Sequence, residues 1–173
     1  MRTHRRHRGL SLKIKPLKEL RKIVERLKIN GKKIVFTNGC FDLLHYGHVQ
    51  YLEDAKQKGD VLLVAVNSDH SVKKIKGPGR PIVSQKDRAR IIASLESVDY
   101  VTVFGHTTPL ALITLLKPDV LVKGADWNLK NIVGGAQVLS YGGRVCTIKL
   151  AKGRSTTSLI QKIAKAFKHK RNT

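Results

Sequence analysis

Five short runs of almost unbroken apolar residues recur along the chain: KIVF (33–36), VLLVAV (61–66), YVTVF (100–104), VLVK (120–123) and RVCTI (144–148). Continuous apolar character of this kind marks strands covered on both faces, as in parallel sheets. Between them, helical periodicity falls near 47–58, 85–96, 109–116 and 131–141, and again near 156–168. An earlier stretch, PLKELRKIVERLK at 16–28, spaces Leu17, Leu20, Ile23, Val24 and Leu27 along one face after a proline start, and Asn30-Gly31 ends it. Strand and helix alternate, the pattern of right-handed βαβ units. The expected fold is α/β: one domain around a doubly wound parallel sheet of about five strands, with an extra N-terminal helix. In such sheets ligands bind beyond the carboxyl ends of strands, where the strand order reverses.

A chain of 173 residues, 41% hydrophobic, suits one such domain. No apolar run approaches the roughly 18 residues that cross a bilayer, and no signal-peptide core begins the chain. A cytoplasmic protein without a membrane partner is expected. Cys40 and Cys146 lack metal-site spacing, which argues against a disulfide framework or a cysteine zinc site. The net charge is +22, and it is concentrated at the ends. Residues 1–33 carry thirteen Lys and Arg against two acids, and residues 149–173 carry eight against none. Residues 1–15 and 169–173 are therefore expected to be basic tails, the first disordered, around a domain at 16–168. A nucleic-acid-binding arm would use the same charges. No aromatic residues interleave with them as a stacking platform needs, so solvated tails are favoured and a nucleic-acid partner is not.

The segment FTNGCFDLLHYGHVQYLEDA follows the first strand and holds His45 and His48 around Gly47. Zinc would need further ligands that the sequence does not supply nearby, so no metal-ligating side chains are assigned. Capping or buried structural histidines are the plain alternative. An anion at a helix N-terminus accounts for more of the residues: free N–H groups, two imidazole donors, and a glycine that admits close approach, with Asn38 and Gly39 shaping the turn. A second turn, Gly153-Arg154-Ser155-Thr156-Thr157, precedes the last helix. Ser155 is a natural N-cap there, and Lys152 and Arg154 flank a second phosphate cradle. Lys73, Lys74, Lys76, Arg80 and Arg88 gather around KKIKGPGRP, read as a mobile loop over the site. Asp126 in VKGADW is the best-placed acid for a sugar hydroxyl.

These strings, with VNSDHSVKKIKGPGRPI, KPDVLVKGADW and GRSTT, resemble the HxGH nucleotidyltransferases, and within them the D-glycero-β-D-manno-heptose 1-phosphate adenylyltransferases, over about residues 17–168. The resemblance implies a Rossmann-like fold and transfer of AMP from ATP to heptose 1-phosphate, giving ADP-heptose, a lipopolysaccharide precursor, and pyrophosphate. It implies Mg²⁺ with the ATP and, as a family habit, a homodimer. His45, His48, Lys76 and Arg88 would be catalytic. Asn38, Gly39, Cys40, Phe41, Gly47, Lys123, Gly124, Gly153, Arg154, Ser155, Thr156 and Thr157 would hold the nucleotide, Cys40 through its backbone rather than as a reactive thiol. Asp42, Arg80, Asp126 and Trp127 would face the sugar phosphate. The sugar-kinase half of the bifunctional relatives is absent, so a separate kinase would supply the substrate. Glu96, where cytidylyltransferases often carry arginine, and LAKGRSTT in place of RTEGISTT favour ATP over CTP. The alternatives are a cytidylyltransferase or adenylyltransferase acting on another small phosphate and, in another class, a nucleic-acid-binding protein.

Overall fold

Consecutive residues of the first strand point to opposite faces of the sheet, and helices cover both. The computed structural model describes residues 12–125, 131–149 and 153–168. Its elements run α1 (Leu17–Ile29), β1 (Ile34–Gly39), α2 (Tyr46–Lys56), β2 (Val61–Asn67), α3 (Asp69–Lys76), α4 (Gln85–Ala93), β3 (Tyr100–Phe104), α5 (Leu110–Leu116), β4 (Val120–Gly124), α6 (Gly135–Ser140), β5 (Arg144–Ile148) and α7 (Thr156–Lys168). The five strands are parallel in the order β3-β2-β1-β4-β5, so the order reverses between β1 and β4. Val35 packs with Leu52 and Ala55 of α2 and Ile92 of α4. Ile34 and Phe36 pack with Leu20 and Val24 of α1 and Leu112, Ile113 and Leu116 of α5 on the other side. Each such side chain, fully buried, contributes about 1.5–3 kcal/mol. The expected doubly wound α/β sheet is what the chain forms.

The amino edge of the sheet is closed by aspartates that sit just before three of the strands. Asp60 accepts from Lys33 N at 2.7 Å, Asp99 from Leu62 N at 2.6 Å and Asp119 from Ile34 N at 2.7 Å. Backbone donors that the parallel ladder cannot reach are satisfied in this way.

Several expected boundaries move. β1 runs on to Gly39, so Asn38 and Gly39 end a strand, and the turn lies at 40–45. Lys73, Lys74 and Lys76 belong to α3, an eight-residue helix capped by Ser68, rather than to a loop; the loop starts at Gly77. α4 stops at Ala93 rather than near 96, with Ser94 Oγ donating to Ile91 O. α6 begins at Gly135 behind Gly134, whose φ of 85° lies outside helical space. Contacts also precede the expected domain start at 16. Lys13 Nζ donates to Leu95 O and Val98 O ahead of β3, and Lys15 N donates to Val101 O of β3 at 2.8 Å. The remainder of the expected tails, residues 1–11 and 169–173, lies outside the described residues.

Candidate functional site

The chain leaves β1 at the point where strand order reverses and turns into α2 through residues 40–45. Two non-glycine residues of that turn, Phe41 (φ 49°) and Leu43 (φ 51°), sit in the left-handed region. Such conformations cost on the order of 1 kcal/mol or more each and persist only where the surroundings enforce them. Three contacts do so. Arg88 Nη1 donates to Cys40 O. Thr156 Oγ1, from the start of α7, donates to Asp42 O at 2.6 Å. The Asp42 carboxylate accepts from Ile82 N, from Val83 N at 2.9 Å and from Arg80 Nε at 2.6 Å. Beneath the turn, Thr37 Oγ1 and Tyr51 OH meet at 2.7 Å, and the Tyr51 hydroxyl reaches Val122 O at 3.2 Å, tying α2 to both central strands.

His45 stands at the N-cap position of α2 and His48 in its first turn. Their rings stack with centroids 3.9 Å apart, and the edge of Phe41 meets His48 at 5.5 Å. His45 N donates to His48 Nδ1 at 3.4 Å, which leaves the proton on Nε2 of a neutral His48. His45 Nδ1 is buried without a hydrogen-bond partner among the described residues. A Cβ on Gly47 would lie 3.1 Å from that nitrogen and 3.3 Å from Arg154 Cβ, so Gly47 makes room for the His45 ring and the Arg154 stem. Burial holds the His48 pKa down to about 4, with the neighbouring His45 adding to the effect. His45 is lowered too, by burial and then by Arg154.

This neutrality links the site to acid stability. Below about pH 6.5 the unfolded chain protonates a His48 that the folded chain keeps neutral, so stability is complete above that pH and is lost as pH falls toward 4. The loss attributable to His48 is at most about 3 kcal/mol at 1.36 kcal/mol per pKa unit. A thermal-melt series from pH 8 to 4 is expected to slope down through this window, and His48→Gln to flatten it. An unchanged slope in His48→Gln would assign the decline to other groups.

Asp42 is 1% exposed. Burial alone would raise its pKa, but the Ile82 and Val83 amides and Arg80 outweigh it and hold the carboxyl below its usual range. Its oxygens are thus committed to the 80–83 segment, while the residue lines the cavity where the resemblance implies a sugar-phosphate contact. Asp42→Asn replaces one acceptor oxygen by a donor facing donors, at a cost of about 1–3 kcal/mol. Hydrogen exchange is expected to quicken at the Ile82 and Val83 amides. Unchanged protection there would mean that the segment is held by something else.

Arg88 is also 1% exposed. Its guanidinium donates to Val83 O, Cys40 O, Asn67 O and Asp69 Oδ1. It underlies the turn and does not line the cavity, whereas the resemblance implies a catalytic role for it. Among the described residues, the cations that reach the opening are Lys76, Arg80, Lys123 and Arg154. Lys123 Nζ is held by Asn38 Oδ1 from across the β1–β4 boundary. Arg154 lies 5.7 Å over the Tyr46 ring. Burial raises the Cys40 thiol pKa, against the lowering pull of Lys76, Arg88 and Arg80.

At the start of α7, Ser155 Oγ accepts from Ser158 N at 3.1 Å, so Ser155 caps the helix as expected. α7 and α2 direct their N-termini at the same place. The result is a cavity of about 540 Å³ bounded by the β1–α2 turn, the end of α3, Lys123-Gly124 and Arg154–Thr157. Of the residues expected at the site, Asn38, Gly39, Cys40, Phe41, Asp42, His45, Gly47, His48, Lys76, Arg80, Lys123, Gly124, Arg154, Ser155, Thr156 and Thr157 line it. Gly153 and Arg88 do not, and Asp126 and Trp127 lie outside the described residues. Sequence reasoning missed Tyr51, Asn67, Ile75, Thr107, Thr108, Pro109 and Val133, which also line it. Among the described residues no cluster of three His, Cys, Asp or Glu could hold a metal ion, and no helix is long and apolar enough to cross a membrane.

Strand order 3-2-1-4-5 with a cationic, twice helix-capped cavity at its switch point defines a Rossmann-like α/β protein. Residues 36–162 match the cytidylyltransferase-like family, and the chain belongs to it. It is 53% identical over 161 residues to the bifunctional protein HldE of Geobacter metallireducens, covering 93% of this chain and 33% of that protein. It is 52% identical over 155 residues to HldE of Geobacter sulfurreducens, covering 90% of this chain and 32% of the relative. The chain thus spans about a third of the length of these curated relatives. A lipopolysaccharide core biosynthesis protein from Thermoplasma volcanium superposes with a TM-score of 0.58 at 30% identity, covering 72% of this chain and all of that one. A pantoate-beta-alanine ligase from Francisella tularensis shares the fold, with a TM-score of 0.60 at 17% identity over 83% of this chain and 68% of its own.

Proposed function

We propose that residues 12–168 form a nucleotidyltransferase unit that moves AMP from ATP to D-glycero-β-D-manno-heptose 1-phosphate, releasing pyrophosphate and ADP-heptose. The observation that carries this reading is the convergence of two helix N-termini, two neutral histidines and four cations on one cavity whose sole lining acid among the described residues, Asp42, is already paired. That arrangement suits a polyphosphate, and the motif resemblance to heptose 1-phosphate adenylyltransferases, together with the relatedness to HldE, supports the acceptor sugar. A phosphate oxygen of the sugar attacks the α-phosphorus; the bond to the β-phosphate bridging oxygen breaks, and pyrophosphate leaves with the electron pair. The nucleophile is already an anion, so no strong base is needed, and catalysis rests on positioning and charge stabilisation.

In this reading His48 Nε2–H and His45 donate to the triphosphate, and Ser155–Thr157 at the α7 N-terminus hold its distal oxygens. Lys76 and Arg80 draw the sugar phosphate in, while Lys123, Gly124 and Arg154 line the nucleotide side. Mg²⁺ accompanies ATP. The described residues leave no free carboxylate at the cavity for it. The acceptor must come from a sugar kinase, on another chain or on another part of a longer one.

The test is pyrophosphate release with heptose 1-phosphate, Mg²⁺ and either ATP or CTP. Turnover with ATP and at most a few per cent of that rate with CTP is expected. Faster turnover with CTP would move the chain to the cytidylyltransferases whose name the family bears. Failure with both would discard the sugar phosphate as acceptor.

A further inference from the structure

Helix α7 is fastened at one end. Its first residues line the cavity, and Thr156 holds the Asp42 carbonyl. From Gln161 to Phe167 every residue is exposed, with Ile163 at 52% and Phe167 at 65%. The helix sequence, TTSLIQKIAKAFK, places Ile160, Ile163, Ala164 and Phe167 at i, i+3, i+4 and i+7, and so on one face. Lys162 and Lys165 fall opposite, and residues 149–173 contain no acid at all. Apolar side chains of this size in water, on a helix rich in lysine, want a partner that takes both features.

We infer that the exposed half of α7 lies against an anionic phospholipid bilayer, with Ile163 and Phe167 at the acyl boundary and the lysines among the phosphates. A second copy of the chain fits worse. Two exposed side chains fall far short of the roughly 800 Å² per partner of a stable interface, and the approach would bring together two molecules each of net charge +22. A nucleic acid would take the lysines and leave Ile163 in water. An interfacial helix needs only a few apolar anchors together with basic residues, since each kind of contact alone binds weakly. The sequence expectation of no membrane partner rested on the lack of a spanning segment, which this mode of binding does not require. Phe167 is ten residues beyond Thr157, about 15 Å along the helix axis, so docking leaves the cavity open.

The test is co-sedimentation of the full chain with vesicles of phosphatidylglycerol and phosphatidylcholine in equal parts, and of phosphatidylcholine alone, at about 0.1 M salt, where charges are felt over roughly 10 Å. Pelleting with the mixed vesicles and not the neutral ones is expected. Ile163→Ser with Phe167→Ser, both at exposed positions, should weaken it about tenfold or more and leave pyrophosphate release unchanged. Higher salt should weaken binding of the unaltered chain. No pelleting with anionic vesicles would overturn the inference, as would equal pelleting of the double variant, which would assign binding to the charges alone. A dimer in solution that the double variant dissociates would give the face to a second copy. Loss of single-stranded DNA binding in the double variant would give it to nucleic acid.

Discussion

His48→Ala is expected to lower the rate of pyrophosphate release by about 10²–10³, the usual cost of removing one donor placed on developing charge. The size follows from the placement of the ring. His48 is wedged between the His45 ring and the Phe41 edge, and it receives the His45 amide on Nδ1. The tautomer is thereby set, and the donor is aimed before any ligand arrives. Its pKa of about 4 keeps it neutral at physiological pH, so it brings one N–H and no charge that a competing anion could neutralise. His70 provides the control, because it is exposed on α3 and does not line the cavity. His70→Ala should retain activity within about twofold. If both variants keep their activity, the proposed role of the HYGH turn is wrong. If His48→Ala raises KM alone, the ring binds ground state and transition state equally and contributes only affinity.

Much of the fold was legible because parallel strands buried on both faces advertise themselves as apolar runs. YVTVF and RVCTI coincide with β3 and β5 to the residue, although β5, at the sheet edge, buries only Ile148. What escaped was polar or short. α3 was hidden because eight residues give barely two turns of periodicity and the Gly77 break follows at once. Its cap was readable all the same, with Ser68 accepting from Ser71 N and Asp69 in the first turn. The extension of β1 through Thr37 and Asn38 was hidden because a buried threonine bonded to Tyr51 does not look apolar. The aspartates at 60, 99 and 119 stood in plain view before the strands, but their bonds cross to neighbouring strands that the linear sequence does not pair.

The site divides in the same way. The HYGH turn and GRSTT were readable because each joins a glycine to donors at a helix start. Thr107 and Thr108 were not, since they reach the cavity only because β3 lies two strands from β1 in the sheet. Asp42 and Arg80 were found as charged residues near the site, yet spacing alone could not say that they satisfy each other. A charge in a functional string reads as a ligand contact until its partner is seen.

Arg88→Met tests this distinction most sharply. The side chains are of similar length, but the variant leaves the carbonyls of Val83, Cys40 and Asn67 without their donor and unpairs the partly exposed Asp69 carboxylate. Each buried acceptor left without its donor costs about 1–3 kcal/mol. For a domain of this size the carbonyls together correspond to a fall in Tm of about 10 °C or more. Activity should fall as well, because the Cys40 carbonyl belongs to the turn that carries both histidines. Arg88→Lys should recover only part of the stability, since a single ammonium cannot serve four acceptors spread around a planar fork. The alternative, in which Arg88 acts directly on phosphate, makes the opposite forecast: a variant with the Tm of the parent and a collapsed kcat. A melting curve and a rate on the same preparation decide between them. An unshifted Tm would refute the positioning role, because the strained Phe41 and Leu43 conformations would then be held without the bond from Arg88 to Cys40.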